Sequence, residues 1–174
     1  MVGDMTFGHS GTVGPSRPIL LVDPESSTLS HVFEQHFPEL TFHVCSALDQ
    51  AEPLLSTKTY LAWITSVRIA ARKEFSLLRR NRSDYRHTPC LITVAASERA
   101  LAYEALEQGA LDCILKPINR DLAVPTLQGA LWIYQYRVKI AQKKQELAVF
   151  RQRSAGFAFG RPDEVKLANL FARG

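Results

Sequence analysis

The sequence predicts an α/β fold in which five short parallel strands alternate with helices. Five apolar runs of strand length, most of them rich in β-branched or aromatic residues, recur between residues 17 and 117. The segments between these runs are longer, and their apolar residues follow helical spacing or they consist of good helix formers. Strands that alternate with helices are typical of a parallel sheet covered by helices on both faces.

The first three strands are predicted at residues 18–22, 40–45 and 60–65. Ser26 or Ser27 is expected to cap the helix after the first strand. Ser46 opens a second, short helix, which Pro53 is expected to make irregular. A third helix is predicted over residues 69–82, with a strongly basic outer side.

The last two strands are predicted at residues 90–94 and 113–115. Ser97 is a candidate N-cap for a helix over residues 100–107, and Gly109 should end that helix in a left-handed conformation. Asn119 or Asp121 is expected to start the final helix. With right-handed crossovers, this pattern favours a flavodoxin-like sheet with the strand order 2-1-3-4-5.

The final helix is predicted to extend beyond the domain, because nothing interrupts it over residues 125–152. Its second half is either a solvated amphipathic tail or a short coiled coil between molecules. The predicted organisation is a flexible lead-in at 1–16, a domain at 17–137, a protruding helix at 138–153 and a tail at 154–174 with a short helix at 163–172. The heptad spacing behind the coiled-coil alternative runs through Leu127, Leu131, Tyr134, Val138, Ala141, Gln145 and Ala148.

Composition argues for a soluble globular protein, with 46% hydrophobic and 22% charged residues and a net charge of +4. No apolar run has the length of a membrane span, and the N-terminus lacks the pattern of a secretory signal. Three cysteines without a CxxC pair suggest reduced thiols, and we expect a cytoplasmic location. Nucleotide-binding glycine motifs, a nucleophile elbow and metal-ligand spacing are absent from the sequence, so we expect no enzyme activity, no cofactor and no metal.

The segment PCLITVAASERALAYEALEQGALDCILKP, residues 89–117, resembles the C-terminal half of the response-regulator receiver (CheY-like) domain. The matching features are the strand opening at Pro89, the EQGA turn at residues 107–110 and the LKP step at residues 115–117. The resemblance extends back to LLVDPE at residues 20–25 and covers roughly residues 17–137. It implies a receiver fold, in which an Asp at the end of the third strand accepts a phosphoryl group with the help of Mg²⁺ held by carboxylates.

The sequence departs from this pattern at most of the positions that carry the chemistry. The resemblance places Asp23 and Lys116 where receivers have an acid and a lysine. It places Pro24 where receivers have a second acid, and Thr65 or its neighbour Ser66 where they have the acceptor Asp. Val94, with Thr93 adjacent, stands at the position of a Ser or Thr, and Cys113 stands at the position of an aromatic residue. One carboxylate cannot hold Mg²⁺ in the usual way, so the sequence predicts a degenerate pseudo-receiver without phosphorelay. The alternatives are a misaligned acceptor, or modification of Thr65 or Ser66 by a Ser/Thr kinase.

Lys116 lies after a strand end, where open α/β sheets bind ligands. Its side chain is expected either to form a structural ion pair with Asp23 or to contact an anion or nucleotide. In the second case, the lining residues would be Asp23, Thr65, Ser66, Ala95, Ala96 and Lys116.

Two surfaces are candidates for contacts with partners. The basic run at residues 68–87 is either a solvated face or a site for a nucleotide messenger or RNA, and its central members are Arg72, Arg79, Arg80 and Arg82. In receivers, the helix before the last strand, that strand and the closing helix often form a symmetric dimer face. The corresponding residues are Glu104, Glu107, Gln108, Asp121, Trp132, Tyr136 and Arg137.

The sequence therefore predicts a pseudo-receiver that acts by protein–protein contact or homodimerisation, in bacterial signal transduction or transcription regulation. One alternative is a switch that responds to a nucleotide messenger. Another is the N-terminal regulatory domain of a longer transcription activator or antiterminator. Nucleic acid would be contacted only through an output domain or a partner, and no membrane association is expected.

Overall fold

The computed structural model describes residues 17–72, 75–83 and 88–158, without the side chains of residues 48, 81–83 and 154–158. The lead-in predicted at 1–16 and the short helix predicted at 163–172 lie outside the described residues. The chain divides into two units, residues 1–134 and 135–174. The domain limit predicted after residue 137 therefore falls inside the second unit.

The first unit contains a five-stranded parallel sheet with the order β2-β1-β3-β4-β5, which confirms the predicted fold class and topology. The register aligns Val22 of β1 with Cys45 of β2 and Thr65 of β3. The carboxyl ends of the strands therefore meet along one edge of the sheet. The strands are β1 Ile19–Val22, β2 Phe42–Cys45, β3 Ala62–Ser66, β4 Cys90–Ala95 and β5 Asp112–Lys116.

Helices cover both faces of the sheet, because alternate strand residues point to opposite sides. Leu20 of β1 packs in a core with α2 to α5, and its neighbour Leu21 packs with α1 and the first part of α6. Double-sided burial explains why β1 and the first parts of β3 and β4 are continuous apolar runs rather than alternating ones. The helices are α1 Ser26–His36, α2 Leu48–Thr57, α3 Val67–Ala71, α4 Ser76–Ser83, α5 Arg99–Gln108 and α6 Arg120–Ala158.

The helix predicted over residues 69–82 is two helices, because α3 ends at Ala71 and α4 begins at Ser76. Just before α4, Phe75 adopts a positive φ of 55°, which a non-glycine residue rarely does. Its ring is buried in the core beneath α3 and α4. Burial of the aromatic side chain therefore compensates for a backbone conformation that nothing in the local sequence announces.

Helix ends follow the predicted chemistry at some positions and not at others. Gly109 ends α5 with a φ of 118°, and the Asn119 side chain accepts a hydrogen bond from the backbone N–H of Asp121 at the start of α6, as predicted. The prediction for Ser97 is wrong. This residue lies exposed in a 3₁₀ turn, Ala96–Glu98, and the residue before α5 is Glu98.

The three cysteines are free thiols within the sheet. Cys45 and Cys90 are buried and Cys113 is partly exposed. Burial raises the pKa of all three thiols, most strongly that of Cys90. Among the described helices, none combines the length and apolar character needed to cross a bilayer.

Candidate functional site

The carboxyl ends of β1, β4 and β5 bring together a network of polar side chains around Asp23, which we call the strand-end pocket. The Asp23 side chain is 0% exposed and both of its oxygens are hydrogen-bonded. Oδ1 accepts hydrogen bonds from the backbone N–H of Glu25 at 2.7 Å and from Nζ of Lys116 at 3.0 Å, and Oδ2 accepts one from the Thr93 hydroxyl. Burial of a carboxylate is costly unless it has partners of this kind, and Asp23 has three.

Lys116, the last residue of β5, forms an ion pair with Asp23, which is one of the two alternatives that the sequence left open for its side chain. Its Nζ also lies 3.2 Å from Oε1 of Glu25, so one ammonium group joins two carboxylates. The Lys116 side chain is only 16% exposed, and the peptide bond to Pro117 is cis. The cation is therefore held at the sheet edge by acids from the loop after β1.

Thr93 is the residue of β4 whose hydroxyl binds Asp23. It lies one position before Val94, which the resemblance assigned to the hydroxyl position. Adjacent strand residues face opposite sides of a sheet. Val94 accordingly lines a groove against α5, next to Ala95, Ala96 and Cys113. Val94 thus lies on the face of β4 opposite to Thr93. Ala95 pairs with Lys116 in the sheet register, so it remains next to a member of the Asp23 cluster while it also lines the groove.

At the predicted acceptor position, the structure offers buried hydroxyl groups. Thr65 is fully buried, and its hydroxyl lies 3.3 Å from the carbonyl oxygen of Val22, to which it donates. Ser66 ends β3 and is also buried. The chain has no Asp or Glu between Glu52 and Glu74, so β3 and the residues that flank it supply no carboxylate to this edge of the sheet.

Glu98 is a second buried carboxylate near the strand ends, and the sequence analysis missed it. The backbone N–H of Ala95 donates to its Oε2 at 2.8 Å, and Arg68 of α3 binds its Oε1. The hydrogen bond from Ala95 is the main cause that lowers the pKa of Glu98, and Arg68 and Lys116 lower it further. The signal in the sequence was a Glu in the third position after a strand end, the spacing of a side chain that folds back onto its own turn.

Pro24 is exposed and contributes no side-chain oxygen. Within the described parts of the chain, no three His, Cys, Asp or Glu residues lie close enough together to hold a metal ion. Instead of a metal, the acids near the strand ends bind cations of the same chain: Asp23 and Glu25 bind Lys116, and Glu98 binds Arg68.

The groove between α5 and β5 has a volume of about 370 Å³ and a mostly apolar lining. It exists because β5 is an edge strand whose α5-facing side chains are only partly covered. Leu115 is 54% exposed and Tyr103 is 60% exposed, and Leu106, at 36%, also lines the groove. Cys113, where the resemblance expects an aromatic ring, is too small to fill this space.

The predicted dimer face contains this groove, but the groove is lined mainly by apolar residues that the sequence analysis did not name. Glu104 and Glu107 are exposed on α5, and Asp121 is exposed in the first turn of α6. Trp132 is 64% exposed on α6. Gln108 accepts a hydrogen bond from Arg79, and Tyr136 and Arg137 belong to the second unit.

Intramolecular contacts engage two arginines of the predicted anion surface. Arg80 binds Oε1 of Glu52 at 2.9 Å, and Arg79 donates to Oε1 of Gln108 at 3.2 Å. Arg72 is exposed, and the side chain of Arg82 lies outside the described residues. Glu52 therefore offsets the charge of Arg80, whereas Arg79 keeps its charge because Gln108 is neutral.

Comparisons with known proteins show the fold. No protein-family model matches the chain, and no curated protein is similar to it in sequence. The structure is similar to a response regulator from Chloroflexus aurantiacus, at 19% identity and a TM-score of 0.59, over 66% of this chain and 97% of that one.

Other solved structures give the same result. A signal receiver domain of an HD domain-containing protein from Pseudomonas fluorescens has 19% identity and a TM-score of 0.60, over 75% of this chain and 98% of that one. Full-length FixJ from B. japonicum has 18% identity and a TM-score of 0.59, over 77% of this chain and 67% of that one. The first unit therefore has the fold of receiver domains. Sequence identities of 18% and 19% show a shared fold and nothing more.

Proposed function

We propose that this chain is a regulatory module with a receiver fold whose conformation is set by internal ion pairs rather than by phosphorylation. It would act through protein–protein contact in bacterial signal transduction or transcription regulation, in the cytoplasm and without enzyme activity. The observation that carries this proposal is the fully bonded Asp23 carboxylate, which binds Lys116, Thr93 and the backbone of Glu25.

The chemistry of phosphoryl transfer explains why this observation matters. Mg²⁺ needs several oxygen ligands at once, and the transferred group needs a nucleophile with cations around it. The resemblance puts Pro24, and Thr65 or Ser66, at the positions of the missing acids, and the one matched acid, Asp23, is bonded to Lys116. Lys116 thus neutralises a carboxylate of its own chain, which supports a fixed conformation.

The contact surface is supported by exposed apolar side chains. Tyr103, Leu106 and Leu115 line the groove between α5 and β5. Clustered apolar residues at the edge of a sheet are typical of a protein contact. The nucleotide-messenger alternative is less favoured, because Arg80 pairs with Glu52 and Arg79 donates to Gln108 within the chain.

A thermal-shift measurement with Mg²⁺ and beryllofluoride, a phosphoryl mimic, tests the loss of phosphorelay. We expect no change in melting temperature, and no mass increase after incubation with acetyl phosphate. A receiver domain with a complete acidic site, treated in parallel, should respond to both reagents. Stabilisation of this chain by beryllofluoride only when Mg²⁺ is present would contradict the proposal.

Light scattering tests the contact surface in solution. The full chain is compared with a version that ends at Tyr136 and so retains the whole first unit. Dimers of both would assign the contact to the first unit, and a dimer lost on truncation would assign it to the extended helix. If both are monomers, the homodimer is excluded and the contact must be with another protein.

A further inference from the structure

The part of α6 from Tyr136 to Arg153, which we call the extension helix, has an unusual distribution of charge. It carries six basic residues and one acidic residue, and all of its described side chains from 141 onward are exposed. A solvated helix normally places its charges on the face turned away from its apolar residues. Here the charges instead lie beside the apolar residues.

Most of the exposed large apolar residues form one seam along this helix. Tyr136, Ile140, Leu147 and Phe150 are all exposed, with Phe150 at 68%, and of the exposed large apolar residues in this helix Val149, at 43%, lies on the opposite face. With Lys143 the first four follow the spacing 4,3,4,3, the heptad spacing of a coiled-coil interface. In a straight helix these five residues span about 80° of arc, which is narrower than the apolar face of a helix that packs on a globular core.

Every charged residue of the extension helix lies in this seam or directly beside it. Lys143 lies within the seam and binds Glu146 at 2.7 Å. The opposite face, which includes the predicted seam of Val138, Ala141, Gln145 and Ala148, has no charged residue at all. The residues flanking the apolar seam are Lys139, Glu146 and Arg153 on one side and Arg137, Lys144 and Arg151 on the other.

A second copy of the chain does not fit this seam well. In a parallel pair, Lys139 of one copy would lie against Lys144 of the other and Lys143 would face Lys143 within the seam, whereas Glu146 would lie against Arg151. In an antiparallel pair, the side with Arg137, Lys144 and Arg151 would face itself. Like charges at these flanking positions oppose pairing.

From this distribution we infer that the extension helix binds an acidic amphipathic helix of another protein. Such a helix would place apolar residues against Ile140, Leu147 and Phe150. It would place Asp or Glu beside the basic flanks and one acid near Lys143. An anionic membrane fits less well, because Lys143 interrupts an apolar strip that is already narrow. The inference rests on the proposed function in that it names the class of protein partner.

The test uses the full chain and a synthetic three-heptad peptide with Leu at the seam positions and Glu at the flanking positions. Fluorescence anisotropy of the labelled peptide measures the dissociation constant at low and high salt. We expect binding that weakens with salt, and no binding of a matched peptide with Lys at the flanks.

Two double variants with the same change in net charge locate the surface. K144Q/R151Q removes two charges beside the seam, and Q145E/Q152E adds two acids on the opposite face. We expect the first to weaken peptide binding about tenfold and the second to leave it within about twofold, because only the first lies at the contact. Equal effects of the two variants would mean attraction by net charge alone, and would overturn the inference.

A third variant, L147A/F150A, separates docking from general attraction of polyanions. Its charge is unchanged, so we expect it to lose binding about tenfold even at low salt. If it binds the acidic peptide like the wild type, the seam is not the contact and the inference fails. It also fails if the chain binds phosphatidylserine vesicles or a DNA duplex but not the peptide, or binds none of the three.

The outcome is distinguishable from failure of the proposed function. Stabilisation by beryllofluoride and Mg²⁺ together with peptide binding would contradict phosphorylation independence but retain the helix partner. No stabilisation and no peptide binding would retain the proposed function and remove this partner.

Discussion

Lys116 and Lys143 show how differently the two units use the same residue type. Lys116 is 16% exposed and joins carboxylates from the loop after β1, far away in sequence. Lys143 is 76% exposed and binds Glu146, its neighbour one turn along the helix. A buried charge must be paired to be tolerated, whereas an exposed pair gains little because water competes for it. The first lysine can therefore fix a conformation, and the second remains available to a partner.

Replacement of the two lysines by Ala should give the largest contrast. Lys116→Ala leaves the Asp23 carboxylate buried without its cation, so we expect the free energy of unfolding to fall by about 3 kcal/mol. Lys143→Ala should cause no measurable loss. Urea unfolding at neutral pH measures both. Similar losses for the two variants would show that the strand-end pair is solvated and has no special structural role.

A second substitution asks whether Lys116→Ala destabilises because of charge or because of packing. Asp23→Asn in the Lys116→Ala background removes the unpaired charge, so it should recover part of the lost stability. The same urea experiment reports the recovery. If Asp23→Asn causes a further loss, then packing around Lys116, rather than the charge of Asp23, accounts for the effect.

Thr93→Val should have an intermediate effect. Valine keeps the shape of the side chain but removes the donor to Oδ2 of Asp23, and we expect a loss of about 1.5 kcal/mol. Thr57→Val, at an exposed position of α2, is the matched control and should leave the free energy of unfolding nearly unchanged. Chemical unfolding of both proteins measures the difference. An unchanged midpoint for Thr93→Val would mean that Oδ2 finds another donor.

Glu98→Gln should have a smaller effect that depends on pH. The pKa of Glu98 is lowered from its ordinary value of 4.5 in the folded protein, so its ionised form stabilises the fold above that pH. We expect a loss of about 1 kcal/mol at pH 7, because a hydrogen bond to a charged acceptor is weakened. The difference from the wild type should shrink as the pH falls below 4.5 and the native Glu98 takes up its proton. A difference that stays constant with pH would contradict this account.

Arg80→Gln should produce the smallest effect. Its partner Glu52 is partly exposed and Arg80 itself is 58% exposed, so unfolding in urea should be unchanged within error. A clear loss of stability would show that this pair supports the packing of α4 against α2.

The sequence predicted the parts of the fold that follow from regular patterns. Apolar runs and helical spacing were enough for the strand order, and the left-handed Gly109 was predicted because glycine adopts that conformation without strain. The pairing of Lys116 with Asp23 was also predictable, because both residues follow strand ends on the same edge of the sheet.

The remainder depended on contacts distant in sequence. The break before α4 follows from burial of Phe75, which no local pattern reveals. The choice of Thr93 over Val94 depends on which face of β4 each residue occupies, and the resemblance to receivers left this open by one residue. Glu98 was overlooked because a glutamate before a helix usually indicates a solvated side chain rather than a buried one.

The positions of the three cysteines allow chemical labelling to report which part of the sheet opens. Cys113 lies at the partly covered edge strand, Cys45 lies in the opposite edge strand and Cys90 lies in the interior. Alkylating reagents attack the thiolate, and burial suppresses that form most strongly at Cys90. The chain should therefore lose its thiols in order, first from the edge strands and last from β4, where modification requires the sheet itself to separate. The order of labelling would show which part of the sheet opens first, without an added probe.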